Sequence, residues 1–177
     1  MKCTLWKVTL PAVVVTLSFT SNLSAQPASR GQGVSGTPEQ VVRALYGMVT
    51  FDPGTTPDWD EVRSVFIDEA VVVLRTSATA STVFSVDGFV QDFVNFIERD
   101  NVEATGFVER VVEVESMVFR DIAHVLVLYE STIPGARPPQ LGVDSFELIR
   151  QDGRWKIVSV INDLPNAGHP VPAVLRN

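Results

Sequence analysis

The sequence predicts one α+β domain, helices first and sheet last, behind a short export segment. Two patterns carry that prediction. Apolar residues recur at helical spacing three times before residue 100, and after Gly106 the period changes to two. A third observation sets the frame: 177 residues, 45% hydrophobic and 20% charged, suit one globular domain with a core that needs no staples.

Residues 1–25 read as a cleavable signal peptide. Lys2 and Lys7 form a basic start, Leu10–Leu17 is apolar apart from Thr16, and Leu23-Ser24-Ala25 supplies the small-residue cleavage pattern. The apolar run is short for a bilayer and is interrupted by Pro11. The expectation is a periplasmic or secreted chain starting near Gln26, with no membrane contact after cleavage. Residues 26–36 read as a flexible leader, 37–164 as the domain and 165–177 as a proline-containing tail.

The first helix starts at Thr37-Pro38-Glu39-Gln40, where Thr37 and Gln40 complete a capping box and Pro38 suits the first turn. Val41, Val42, Leu45, Met48 and Val49 form its apolar stripe. After the turn-rich DPGTTP, Asp58 caps a short second helix carrying Trp59, Val62, Val65 and Phe66. Glu69–Arg75 reads as a strand by its valines, and TSATAST as a polar loop. Ser85 caps the third helix, whose Val86, Phe89, Val90, Phe93, Val94 and Ile97 keep i, i+3, i+4 spacing.

Four strands follow at 107–119, 123–133, 143–150 and 154–163. Arg120-Asp121 and Gln151-Asp152-Gly153 make tight connections, so the pairing is antiparallel. The strand 123–133 is apolar on both faces. One face should cover the helices, and a second copy of the chain is the simplest cover for the other, with Phe146, Leu148, Ile157 and Ile161 also assigned to that outer face.

Several chemistries are excluded. Loss of Lys2 and Lys7 with the signal turns a formal charge of −7 into −9, which disfavours nucleic acid and anionic lipid as partners. The sole cysteine, Cys3, lies in the export segment, so the mature chain offers no thiolate, disulfide or cysteine-ligated zinc. Two histidines, His124 and His169, are too few for a histidine-rich metal site, and no cofactor is expected. Glu109, Glu113 and Glu115 alternate with valines and read as a solvated strand face.

In order and spacing, TPEQVVRALYGMV, PDWDEVRSVFIDEAVVVL and VDSFELIRQDGRWKIVSVIND resemble the SnoaL-like branch of the nuclear transport factor 2-like superfamily, over residues 37–164. The resemblance implies a cone, with three N-terminal helices packed on a curved, mainly antiparallel sheet around an apolar cavity. It also implies a homodimer through the outer sheet face. Its ketosteroid isomerase relatives need a tyrosine and a protonated carboxylic acid to hold an oxyanion, and a carboxylate base. Tyr46 stands at the tyrosine position, Leu74 at that of the base, and Ser145 near that of the acid. The tyrosine–aspartate–two-histidine and aspartate–arginine–aspartate sets of other relatives are not reproduced. The function expected is binding of a small apolar ligand without strong catalysis, with Tyr46, Phe93, Ser145 and Asn162 lining the site. The alternatives are an isomerase, lyase or hydrolase of a small apolar substrate, or a dimeric partner-binding protein of the cell envelope. Asn162 reads equally as a turn residue, His124 as a structural residue of the sheet, and Arg75 as a solvated strand end.

Overall fold

A computed structural model describes residues 36–77, 79–136 and 138–176. The expected signal peptide and almost all of the leader lie outside the described residues.

Helix α1 spans Pro38–Val49 and begins with the capping box expected of its sequence: the Thr37 hydroxyl accepts from the Gln40 amide, and the Gln40 side chain accepts from the Thr37 amide. Helix α2 spans Trp59–Ser64 under an Asp58 cap, and α3 spans Val86–Arg99 under a Ser85 cap. The strands are β1 Phe66–Ser77, β2 Ala80–Ser85, β3 Val108–Phe119, β4 Ile122–Thr132, β5 Gln140–Gln151 and β6 Arg154–Asp163. They form one curved sheet in the order β2-β1-β6-β5-β4-β3. All neighbours run antiparallel except β1 and β6, which are parallel, so the sheet is mixed. The β5–β6 turn puts Asp152 at φ 50° and Gly153 at φ 77°, the left-handed pair of a type I′ hairpin.

Two elements depart from the sequence reading. The segment read as a polar loop is the β1–β2 hairpin, with Val73 opposite Val83 and Leu74 opposite Thr82. Its Ala, Ser and Thr residues form an exposed edge strand, which needs little apolar content because only one side pairs. Phe66, assigned to the second helix, opens β1 instead; the helix stops where Val65 caps it.

The main core lies between the helices and one face of the sheet, here called the inner face. It contains Val41, Val42, Leu45 and Val49 of α1, Val125 and Val127 of β4, Phe146 and Leu148 of β5, and Trp155 and Ile157 of β6. This corrects the sequence assignment of Phe146, Leu148 and Ile157 to the outer face; Ile161 alone of those four points out and is exposed. A one-residue slip in strand register exchanges inner and outer residues, which moves Phe146 and Leu148 together; on β6 the extra residue Val158 turns Ile157 inward while Ile161 stays outward. A smaller cluster of Phe51, Ile97, Val102, Phe107 and Ile133 closes one end.

Candidate functional site

Inner-face residues of β5 alternate as Gly142, Asp144, Phe146 and Leu148, all buried, while Val143, Ser145, Glu147 and Ile149 alternate on the other side. The acid sought near Ser145 is therefore Asp144. Ser145 pairs with Ile161 and Leu126 on the outer face and is withdrawn as a site residue. Asp144 is the one buried charged residue among those described, 9% exposed.

Two elements deliver polar groups to it. The Tyr46 hydroxyl, from the last turn of α1, donates to Asp144 Oδ2 at 2.5 Å. Asn162, opposite Asp144 in the β5–β6 register, donates from Nδ2 to Asp144 Oδ1 at 2.8 Å and also reaches the Tyr129 hydroxyl at 2.9 Å. The Tyr46 and Tyr129 rings lie 5.7 Å apart. Gly142 makes room for this arrangement, because a Cβ there would collide with the Tyr129 ring. Tyr46 and Asn162 thus meet at one carboxyl group, and Asn162 is a strand residue rather than a turn residue.

Glu109 is the second acid. It sits one residue into β3, and Thr50, at the end of α1, fixes it there: the Thr50 hydroxyl donates to the Glu109 carbonyl at 3.0 Å and accepts from the Glu109 amide at 2.9 Å. Glu109 pairs with Ser131, in phase with Tyr129 and Val127 of the inner face. Glu113 and Glu115 follow an irregularity between Val111 and Glu113, and their register partners Leu128 and Leu126 face outward. Hence the solvated-face reading holds for Glu115, while Glu113 shares its outer face but is part-buried beside Leu128, and Glu109 turns to the inner face. The bulge, which no strict alternation reveals, is the physical reason.

The electrostatics follow from burial without a counter-cation. Burial pushes the Asp144 carboxyl up to about 6, against the lowering pull of its Tyr46 and Asn162 hydrogen bonds. Burial, then the Asp144 charge, pushes Glu109 up to about 8. Both tyrosines are raised far above the ordinary phenol range, first by burial and then by Asp144, so they remain neutral donors. No lysine, arginine or histidine contributes to any of these shifts. Glu109 and Asn162 are only part-buried, so the network keeps access to solvent at those two side chains.

Phe93 lies apart from the carboxyl network, in an aromatic cluster 5.5 Å from Trp59, 5.4 Å from Phe107 and 5.7 Å from Phe96 by ring centroids. Leu74 packs part-buried against the main core, so the position of the missing base is occupied by hydrocarbon. His124 is on the outer face, its Nδ1 2.8 Å from Glu147. Arg75 forms a bidentate pair with Asp163 at 3.1 and 2.7 Å. Among the described residues no group of three or more His, Cys, Asp and Glu is placed to hold a metal ion, and no helix is long and apolar enough to cross a membrane.

Asp144 was legible in VDSFELIR as an acid two residues before Phe146, on whichever face Phe146 occupies. Tyr129 and Glu109 carried no such signal, since their partners come from other strands.

Comparison with solved structures agrees with this architecture. A protein from Thiobacillus denitrificans, described as a calcium/calmodulin-dependent protein kinase type II association domain, superposes with a TM-score of 0.59 at 16% identity, covering 76% of this chain and 100% of its own. A nuclear transport factor 2-like protein with a cystatin-like fold from Novosphingobium aromaticivorans gives 0.54 at 14% identity, with 78% of this chain and 86% of the other covered. A nuclear transport factor 2-like protein of unknown function from Pseudomonas putida gives 0.50 at 14% identity, covering 71% and 78%. No family profile and no curated protein matches the sequence. The chain has the nuclear transport factor 2-like fold: α+β, three helices packed on a curved six-stranded sheet. Likeness at this identity defines the fold, and the chemistry must come from the site.

Proposed function

We propose that the inner face carries an acid–base site for a small, largely apolar molecule bearing a carbonyl or hydroxyl oxygen, with turnover of the isomerase or lyase type. The observation that carries the reading is convergence: Tyr46, Asp144, Asn162 and Tyr129, from four elements, share one hydrogen-bond network on an otherwise apolar face, and Glu109, from a fifth, feels the Asp144 charge. Two carboxyl groups with separated proton affinities can divide the work. At neutral pH Asp144 is mainly ionised and serves as base, since a carboxylate oxygen with two lone pairs can accept beyond its present bond. Glu109 stays mainly protonated and, with a tyrosine hydroxyl, donates toward a substrate oxygen as it gains charge. For a carbonyl compound, Asp144 takes the proton from the carbon next to the carbonyl. The electron pair moves to the oxygen, and return of the proton to a different carbon completes an isomerisation.

Leu74 favours a second reading, ligand binding without turnover. The base position of the resembling isomerases is hydrocarbon here, while the aromatic and aliphatic inner face still binds by burial, at roughly 25 cal/mol per Å² of apolar surface. Export to the periplasm or beyond is inferred from residues 1–25 alone. A homodimer through the outer face is supported by the exposed Val71, Val83, Ile161, Met117, Phe119 and Ile122.

The test pairs turnover with binding. The purified chain is incubated with β,γ-unsaturated ketones of steroidal and smaller size, and separately titrated with apolar fluorescent probes. Turnover that falls by about 10²-fold or more in Asp144→Asn and Tyr46→Phe supports the acid–base reading. Saturable probe binding with no turnover leaves the binding reading standing. Absence of both defeats the assignment of a small-molecule site.

A further inference from the structure

We infer that the C-terminal segment 164–176 is an intramolecular strap over the outer sheet face, and that its docking keeps the β4–β3 part of that face out of self-association. Prolines and glycines aside, every buried apolar residue described belongs to one of the two core clusters, with two exceptions: Leu128, 6% exposed, and Leu175, 1% exposed. Leu128 lies on β4 between Val127 and Tyr129, both inner-face residues, so its own side chain points outward. An outward leucine on an open sheet face would be wet; this one is covered.

The tail is the segment placed to cover it. It leaves β6 at Asp163 and forms a bridge between Asn166 and His169. Residues 165–171 border a groove of about 680 Å³ with residues 138–141, which include the outward-facing Leu141. The tail ends in a 3₁₀ turn, Ala173–Leu175, packed against β3. On β3 the register partner of Leu128 is Glu113, another outward residue. The path therefore crosses the start of β5 and the second half of β4 on the outer side and sets Leu175 over Leu128. Two leucines buried against each other explain both burials at once.

The consequence concerns assembly. Apart from Leu141 and Val108, at the rim of the strap, the apolar residues left most exposed on the outer face sit at its other parts: Val83, Val71 and Ile161 on β2, β1 and β6, and Met117, Phe119 and Ile122 at the β3–β4 hairpin end. A docked strap confines any contact between copies to those parts, and release of the strap adds Leu128 and its surroundings to the sticky surface.

The experiment compares the full chain with Leu175→Ser by light scattering and by binding of an apolar dye. A third protein, Leu128→Cys/Leu175→Cys in a Cys3→Ser background, is studied after oxidation. The inference expects Leu175→Ser to bind severalfold more dye and to reach a higher mass than the parent at equal concentration. It also expects the double-cysteine protein to close its disulfide and keep the parent's mass. Unchanged mass and dye binding in Leu175→Ser, or failure of the two cysteines to join, overturns it. A circular-dichroism spectrum matching the parent's shows that Leu175→Ser is folded, and if it is not, the disulfide alone decides.

Discussion

Asp144 and Asp163 lie one register step apart on adjacent strands, yet the proton affinities of their carboxyl groups are displaced in opposite directions. Asp144 faces inward opposite Asn162 and is raised by burial. Asp163, the next residue along β6, faces outward and is lowered, chiefly by its hydrogen bonds from Arg75. Composition does not distinguish them. The inner face restricts water and offers no cation, while the outer face offers both. That contrast extends to the other ionisable groups: Tyr46, Tyr129 and Glu109 inside are all raised, whereas outside Arg110–Glu130 forms a part-exposed ion pair at 2.9 Å and His124 lies 2.8 Å from Glu147. The lesson is that the sheet is chemically two-sided, and a residue's role follows from the side it occupies.

The largest expected effect breaks the inner face outright. Trp155 is 7% exposed in the main core, and Trp155→Ala should cost about 3–5 kcal/mol, read as a lowered denaturant midpoint. An unchanged midpoint would contradict the burial of the ring.

The next effect is catalytic. If Asp144 is the base and Glu109 the acid, turnover should be bell-shaped, rising near pH 6 and falling near pH 8. Glu109→Gln should remove the alkaline limb and leave the acid one. A profile that keeps both limbs in that variant removes Glu109 from the mechanism.

Linkage gives a related effect on stability. The folded-state value of Glu109, about 8, lies above its ordinary 4.5, so its contribution is fully present below about pH 4.5 and is lost as pH rises through 8. The parent should therefore lose stability relative to Glu109→Gln across that window, by a difference on the order of 2–4 kcal/mol. Denaturant melts of both proteins at pH 4.5 and pH 9 measure it, and equal differences at the two values would show that Glu109 is fully solvated.

The positioning of Tyr129 offers a smaller test. Gly142→Ala pushes a methyl group into the Tyr129 ring, so the Asn162–Tyr129 hydrogen bond should be disturbed at a cost of about 1–3 kcal/mol. Turnover should fall with it, while a Tyr129→Phe change in the same background should add little. The smallest effect belongs outside: His124→Ala breaks the pair with Glu147 and should change stability by no more than about 1 kcal/mol, with turnover untouched. A loss of turnover there would mean that the two faces are coupled.

The order of helices and hairpins was readable because each is specified locally. The Thr37–Gln40 box, the Asp58 and Ser85 caps, the stripe from Val86 to Ile97 and the Asp152-Gly153 turn all act over a few residues. Tyr46 was identified as a site candidate from the position a resembling fold gives it, and Asn162 from its place near the end of the last strand. Phe93 was placed on the inner side and lies there, but among aromatic rings. What could not be read was which face each strand residue takes, because one step in register or one bulge reverses it. Ser145 gave way to Asp144, and Phe146 and Leu148 turned inward, by that single step; Ile157 turned inward through the extra residue Val158, and Glu109 through the bulge before Glu113. Pairings between strands distant in sequence are decided only when the sheet assembles. Tyr46 and Asp144 are 98 residues apart, and Leu175 reaches β3 across three intervening strands of the chain order. The sequence by itself determined the local elements and the acidic, cysteine-poor chemistry. Tertiary structure decided which acids lost their water, since burial is a property of the neighbours that the whole sheet brings together.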